Sequence, residues 1–194
     1  MEGTTLNNIG QIHDTRGDYT TALLLYDQSL SISYEIGDQA GEGITLNNIG
    51  RIYCALGLYG IALSLLRQSL IVSQNIGDKK QKGITMHNLS RIYDKWGDYA
   101  TAISLYKQSL EIFQEIGSRE EEGATLNNIS QVYKALGDHD QALTCLVQSL
   151  EIRREIGNRT GEAVTSWNIG RAYEDQGYLS RAEQYMSQAV ELVK

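Results

Sequence analysis

The chain of 194 residues contains no proline, where average usage of about 5% would supply roughly ten. Without proline its helices can run uninterrupted, and glycine, present 19 times, has to do the breaking. Cysteine occurs only twice, as Cys54 and Cys145, at unrelated positions. That excludes a disulfide framework and fits a reduced, cytoplasmic protein. The three histidines, His13, His87 and His139, share no ligand-like spacing. There is no Ser-His-Asp set, Walker loop or Cys/His zinc pattern, so the expectation is a non-enzyme with no metal and no cofactor. No apolar run approaches the ~18 residues that span a membrane, and the first residues carry no signal-peptide pattern. An excess of positive charge is also lacking: the net charge is −7, which argues against nucleic acid as a partner.

What the sequence does have is repetition. Blocks of 40 residues starting at Met1, Gly41, Gln81, Glu121 and Gly161 align without gaps. TLNNIG at 5–10 returns at 45–50, as TMHNLS at 85–90, TLNNIS at 125–130 and TSWNIG at 165–170. QSL recurs at 28–30, 68–70, 108–110 and 148–150, and becomes QAV at 188–190. A period of this length means a stacked array in which each unit buries its apolar face against its neighbours.

Within the second block, Ile44, Leu46, Ile49, Ile52 and Tyr53 recur at spacings of three and four, the stripe of an amphipathic helix. A second stripe runs through Ile61, Ala62, Leu65, Leu66, Leu70, Val72 and Ile76. Gly17, Gly57, Gly97, Gly137 and Gly177 should end the first helix of each block; Gly37, Gly77, Gly117 and Gly157 should end the second. Asp18, Asp98 and Asp138, then Asp38, Asp78, Ser118 and Asn158, follow these glycines as expected N-caps, and Ser118 with Glu121 has capping-box spacing. Turns of about two residues make consecutive helices antiparallel neighbours. Ala22, Ala62, Ala102, Ala142 and Ala182 form one small-residue column; Gly10, Gly50, Ser90, Ser130 and Gly170 form another, where helix axes approach closely.

At these residues the chain resembles the tetratricopeptide repeat family. The family's spaced positions read Leu46, Ile49-Gly50, Tyr53, Gly57, Tyr59, Ala62, Leu66 and Ser69 in the second block, and Met86, Leu89-Ser90, Tyr93, Gly97, Tyr99, Ala102, Tyr106 and Ser109 in the third. The unit is 40 residues, rather than the family's usual ~34, and the usual proline is replaced by Tyr34, Gln74, Gln114 and Arg154. This long variety is similar to the arrays of Pins-type spindle-orientation regulators, kinesin light chains and bacterial signalling proteins. The resemblance implies an all-α, right-handed α-solenoid superhelix of five helix-turn-helix repeats at 1–37, 38–77, 78–117, 118–157 and 158–194. It also implies protein or peptide binding on the concave face lined by the first helices, without naming the partner.

Three rows fall on that face. One is Asn8, Asn48, Asn88, Asn128 and Asn168; a second is Asn7, Asn47, His87, Asn127 and Trp167; a third is Gln11, Arg51, Arg91, Gln131 and Arg171. Asparagine is a poor helix-interior residue, so an unbroken column of it needs a reason. For the first row the favoured reading is an amide bond to the neighbouring repeat; the other is binding of a peptide backbone. The second and third rows vary from repeat to repeat, and the favoured reading there is ligand recognition. The candidate binding residues are therefore Asn47, Asn48, Arg51, His87, Asn88, Arg91, Asn127, Asn128, Gln131, Trp167 and Arg171. The groove positions carry five positive side chains (Arg51, Arg91, Lys95, Lys134, Arg171) and four negative (Asp14, Asp94, Glu174, Asp175), a net +1 that leaves −8 elsewhere. An acidic ligand is compatible with this, as is a solvated face with internal ion pairs. At about 3.3 Å per residue an extended peptide would advance about three residues per repeat. An alternative reading makes the array the sensor or regulatory arm of a larger multidomain signalling protein, with an NTPase or protease-like part outside this chain. The expected partner is another protein or an extended peptide, and end-to-end self-association through the end faces is also open.

Overall fold

The computed structural model describes residues 2–193. Among these residues there are ten α-helices and no strand: α1 (Glu2–Thr15), α2 (Tyr19–Ile36), α3 (Gln39–Ala55), α4 (Tyr59–Asn75), α5 (Lys79–Trp96), α6 (Tyr99–Glu115), α7 (Arg119–Ala135), α8 (His139–Glu155), α9 (Arg159–Asp175) and α10 (Leu179–Leu192). The fold class is the all-α solenoid of helix-turn-helix repeats. Two compact units are present, Met1–Asp98 with α1 to α5 and Tyr99–Lys194 with α6 to α10.

Every junction is built the same way. The nine glycines Gly17, Gly37, Gly57, Gly77, Gly97, Gly117, Gly137, Gly157 and Gly177 all have φ between 67° and 81°, the left-handed region in which a Cβ is costly. At the first of them, Gly17 N–H donates to Asp14 O (2.9 Å) and Asp18 N–H donates to His13 O (3.0 Å). These two bonds close the helix end as a Schellman motif. The caps form as expected at Asp18, Asp38, Asp78, Asp138 and Asn158, whose side chains accept from the backbone N–H three residues on. Ser118 is the exception. It caps nothing; its hydroxyl donates to Glu121 Oε2 at 2.7 Å, because the nearby carboxylate is a stronger acceptor than the hydroxyl is for the amide.

In the first unit α1 packs on α2 and α3 on α4, while α3 seats against both α1 and α2 and α5 against both α3 and α4. In the second unit α9 seats on α7 and α8 in the same manner, and α10 covers α9. The cores lie between repeats. Ala22 and Tyr26 of α2 pack with Ile49 and Ile52 of α3; Leu146 and Leu150 of α8 pack with Ile169 and Ala172 of α9. Each apolar stripe is therefore buried by a helix of the adjoining repeat, as a solenoid requires. Gly50 shows how close the hairpin partners come: a Cβ there would lie 2.9 Å from Leu66 Cγ.

A polar seam runs beside these cores. Ser29 Oγ donates to Gly3 O, Ser69 Oγ to Gly43 O and Ser149 Oγ to Gly123 O, at 2.7–2.8 Å, tying second helix to first within a repeat. The same hydroxyls lie 3.3, 3.0 and 3.4 Å from Thr45, Thr85 and Thr165 Oγ1 of the next repeat. The recurrent QSL and TLNN motifs are thus the two halves of one hydrogen-bonded joint. Nothing in the periodicity of apolar residues marks it; only the recurrence of a Ser and a Thr does.

Candidate functional site: the first-helix face

The first helices bring the asparagine rows together in an interlocked ladder. In the first unit Asn48 Nδ2 donates to Asn7 Oδ1 and Asn88 Nδ2 donates to Asn47 Oδ1, both at 3.0 Å. In the second, Asn168 Nδ2 donates to Asn127 Oδ1 at 2.9 Å. Each donor sits 41 residues after its acceptor, one repeat plus one residue, so the first row donates and the second accepts. Asn47 and Asn48 are buried, as is Asn88. For the unbroken row this geometry favours the inter-repeat reading. It also engages the carbonyl oxygens of Asn47 and Asn127, which had been read as ligand contacts. Asn8 is exposed, while Asn127 and Asn128 are half-buried.

His87 is half-buried on α5 and its pKa is pushed down to about 4, by burial first and by the charge of Arg91 second, so the ring is neutral at pH 7. Arg51 pairs with Asp14, whose carboxylate is buried beneath it between α1 and α3. Beside them, burial and the Asp14 charge raise the buried Tyr26 hydroxyl to about 12. Arg91 stays half-buried on α5. Cys54 is buried and its thiol is raised by that burial, with Arg91 and Lys95 pulling only weakly the other way, so the site holds no activated thiolate.

In the second unit a cleft opens between α7, α8 and α9, lined on its polar side by Gln131, Lys134, Asn168 and Arg171 and floored by Leu146 and Ala172. Gln131 and Arg171 are exposed. Lys134 Nζ lies 2.7 Å from Asp175 Oδ2, and that bond, with the charges of Lys134 and Arg171, holds the Asp175 carboxyl below its usual range. Trp167 is not part of this cleft. It points to the other side of α9, where it lines apolar clefts with Val164, Met186 and Val190. Arg153 was not anticipated. It is buried at the α7–α9 side with Nη1 3.6 Å from Glu120 Oε1, and it fills the space left by Gly161, where a Cβ would lie 2.6 Å from Arg153 Cδ. The only hint in the sequence is an Arg where other repeats have Ser33, Ser73 and Phe113.

Among the described residues no group of His, Cys, Asp or Glu is arranged to hold a metal ion, and no helix is long and apolar enough to cross a membrane. Tetratricopeptide repeat profiles match residues 42–115 and 121–194, and a second such profile matches 3–35. The chain belongs to the tetratricopeptide repeat family. No curated protein sequence matches this tetratricopeptide repeat chain. Similar solved structures include BtubC from P. vanneervenii, at 20% identity and a TM-score of 0.81 over 96% of this chain and 78% of that one. A Podosopora anserina kinesin light chain with nearly identical TPR-like repeats gives 19% identity and a TM-score of 0.74 over 97% and 93%. A Rap protein complexed with Competence and Sporulation Factor gives 12% identity and a TM-score of 0.88 over 98% of this chain and 54% of that one. At these identities the likeness is one of fold.

Proposed function

We propose that the protein is a non-catalytic scaffold that holds another protein or an extended peptide against the face formed by its first helices. The observation that carries this reading is the cleft between α7 and α9, where Gln131 and Arg171 reach solvent above an apolar floor of Leu146 and Ala172. A guanidinium and an amide over apolar carbon suit a ligand carboxylate beside an aliphatic stem. Arg91 is the corresponding group of the first unit. Asn47, Asn48, Asn88 and Asn127 set the spacing of the helices that present these groups through their inter-repeat bonds, and Arg51, His87 and Asn128 complete the face. The Rap protein seen with a signalling factor shares the fold, and this chain matches 54% of its length. That supports a second reading, a regulatory arm within a larger signalling protein.

The test is affinity capture from native lysate with wild type and an Arg91→Glu/Arg171→Glu variant, after circular dichroism confirms that both fold. Arg51 is left intact because reversing it would bury two like charges against Asp14. A partner held by wild type and lost by the variant supports the first-helix face; a partner held equally by both overturns it.

A further inference from the structure

Arg153 sits in a slot that two glycines leave open. A Cβ at Gly123 of α7 would lie 3.2 Å from its Nε, and one at Gly161 of α9 would lie 2.7 Å from the same atom. Only 8% of the residue is exposed, and Nη1 has no hydrogen-bond partner. A guanidinium keeps its charge at any physiological pH, so a buried one calls for an anion in contact.

The anion that the chain supplies is a poor match. Glu120 Oε1 lies 3.6 Å from Nη1, beyond the about 2.7–2.9 Å of a charge-assisted bond. The Glu120 side chain is 68% exposed, and Asn158 Nδ2 donates to the same Oε1 at 3.1 Å. Asn158 is fixed in turn, because its Oδ1 accepts from the Gly161 N–H at 2.7 Å. Two donors, one from α8 and one from the cap of α9, thus converge on one oxygen position. All three groups line a cleft of about 470 Å³, with Ala124, Asn128 and Thr160 further along its walls. It is separate from the cleft at Gln131 and Arg171. Asn127 lines the first and Asn168 the second, and the bond between them divides the two.

We propose that Arg153 and Asn158 form a binding site for a ligand carboxylate, which enters as Glu120 swings outward and takes the place that the Glu120 carboxylate holds. Glu120 is tethered to the first turn of α7 and stops short of Nη1. A ligand carboxylate has no such tether, so it meets the guanidinium at bonding distance and keeps the Asn158 amide as its second donor. The ligand group is a monoanion. Glu120, Glu121 and Glu122 share the first turn of α7, and their field disfavours a doubly charged phosphate. Exchanging one carboxylate for another leaves the local charge unchanged.

The test follows the Arg153 Nε–H signal of the isotope-labelled full chain by NMR, assigned by its loss in Arg153→Lys. The chain is titrated at constant ionic strength with acetate, with the peptide acetyl-Ala-Glu-Ala-amide and with inorganic phosphate. Acetate or the peptide should shift the signal saturably, and phosphate should bind more weakly. Glu120→Ala, a change at an exposed position, should tighten carboxylate binding about fivefold, since no internal carboxylate has to be displaced. The Gly161 amide should report the same affinities, and Arg153→Lys should weaken them at least about tenfold, because an ammonium offers no planar fork. A response to acetate marks a free carboxylate as sufficient, and a response to the peptide alone marks one carried on a chain; either supports the site. No saturable shift in the wild-type chain, equal affinity in Glu120→Ala and wild type, or phosphate binding as tightly as the carboxylates would each overturn the proposal.

Discussion

Replacing Asn88 by Ala tests the ladder most directly, because the same column supplies its own control. Asn88 Nδ2 donates to Asn47 Oδ1 at 3.0 Å, and Asn47 is only 4% exposed. The substitution leaves a buried carbonyl oxygen without its donor, a loss of about 1–3 kcal/mol. Alanine returns about 0.5 kcal/mol of helix propensity, so the net expectation is a destabilisation of about 0.5–2.5 kcal/mol. Asn8→Ala makes the identical chemical change at an exposed position of the same column, and there only the propensity gain remains, a stabilisation of about 0.5 kcal/mol. Removing both partners in Asn47→Ala/Asn88→Ala should cost about 1 kcal/mol less than the sum of the single changes, since no orphan is left. Urea unfolding followed by circular dichroism gives the totals. Hydrogen exchange in α3 and α5 localises them, since repeat arrays can unfold piecewise. If Asn8→Ala destabilises as much as Asn88→Ala, the asparagines act within their own helix and the ladder argument fails.

The lowered pKa of His87 makes stability pH-dependent. Between its unfolded value near 6.5 and its folded value of about 4 the unfolded chain binds the extra proton, so stability falls as pH drops through that window. The loss by pH 5 should be of order 1–2 kcal/mol in thermal or urea unfolding, and His87→Gln should flatten it. Gly50→Ala and Gly60→Ala should have opposite signs by the same unfolding assay. The first drives a methyl to 2.9 Å from Leu66 Cγ, whereas the second meets nothing within 4 Å and gains about 0.5–1 kcal/mol of helix propensity. Cys54 should react with a disulfide reagent at pH 8 more slowly than a free thiol by at least about tenfold, and unfolding should abolish the difference.

The helices, their glycine stops and most of their caps were legible because each rests on local chemistry repeated in every block. Gly17 or Asp78 needs no information from elsewhere in the chain to act as it does. Ser118 was misread because its hydroxyl turns to donate to the Glu121 carboxylate instead of accepting from a helix amide, and spacing alone does not rank those two roles. The binding face was only partly legible. A column of Asn at one helical position says that the amide matters, and the 41-residue offset between donor and acceptor appears only once the helices are stacked. Trp167 shared a column with groove asparagines, yet the column faces the next repeat and not the cleft at Arg171. Arg51 carried a charge suited to a ligand, but its partner Asp14 lies on another helix, 37 residues earlier in the chain.

The one-residue offset of the asparagine ladder also governs how such an array can change in length. The second block carries both an acceptor, Asn47, for the block that follows and a donor, Asn48, for the block before. Copying that block whole therefore adds a rung and leaves its neighbours paired. An insertion of a single residue moves both columns off their faces at once, so the gain or loss of material is restricted to whole units.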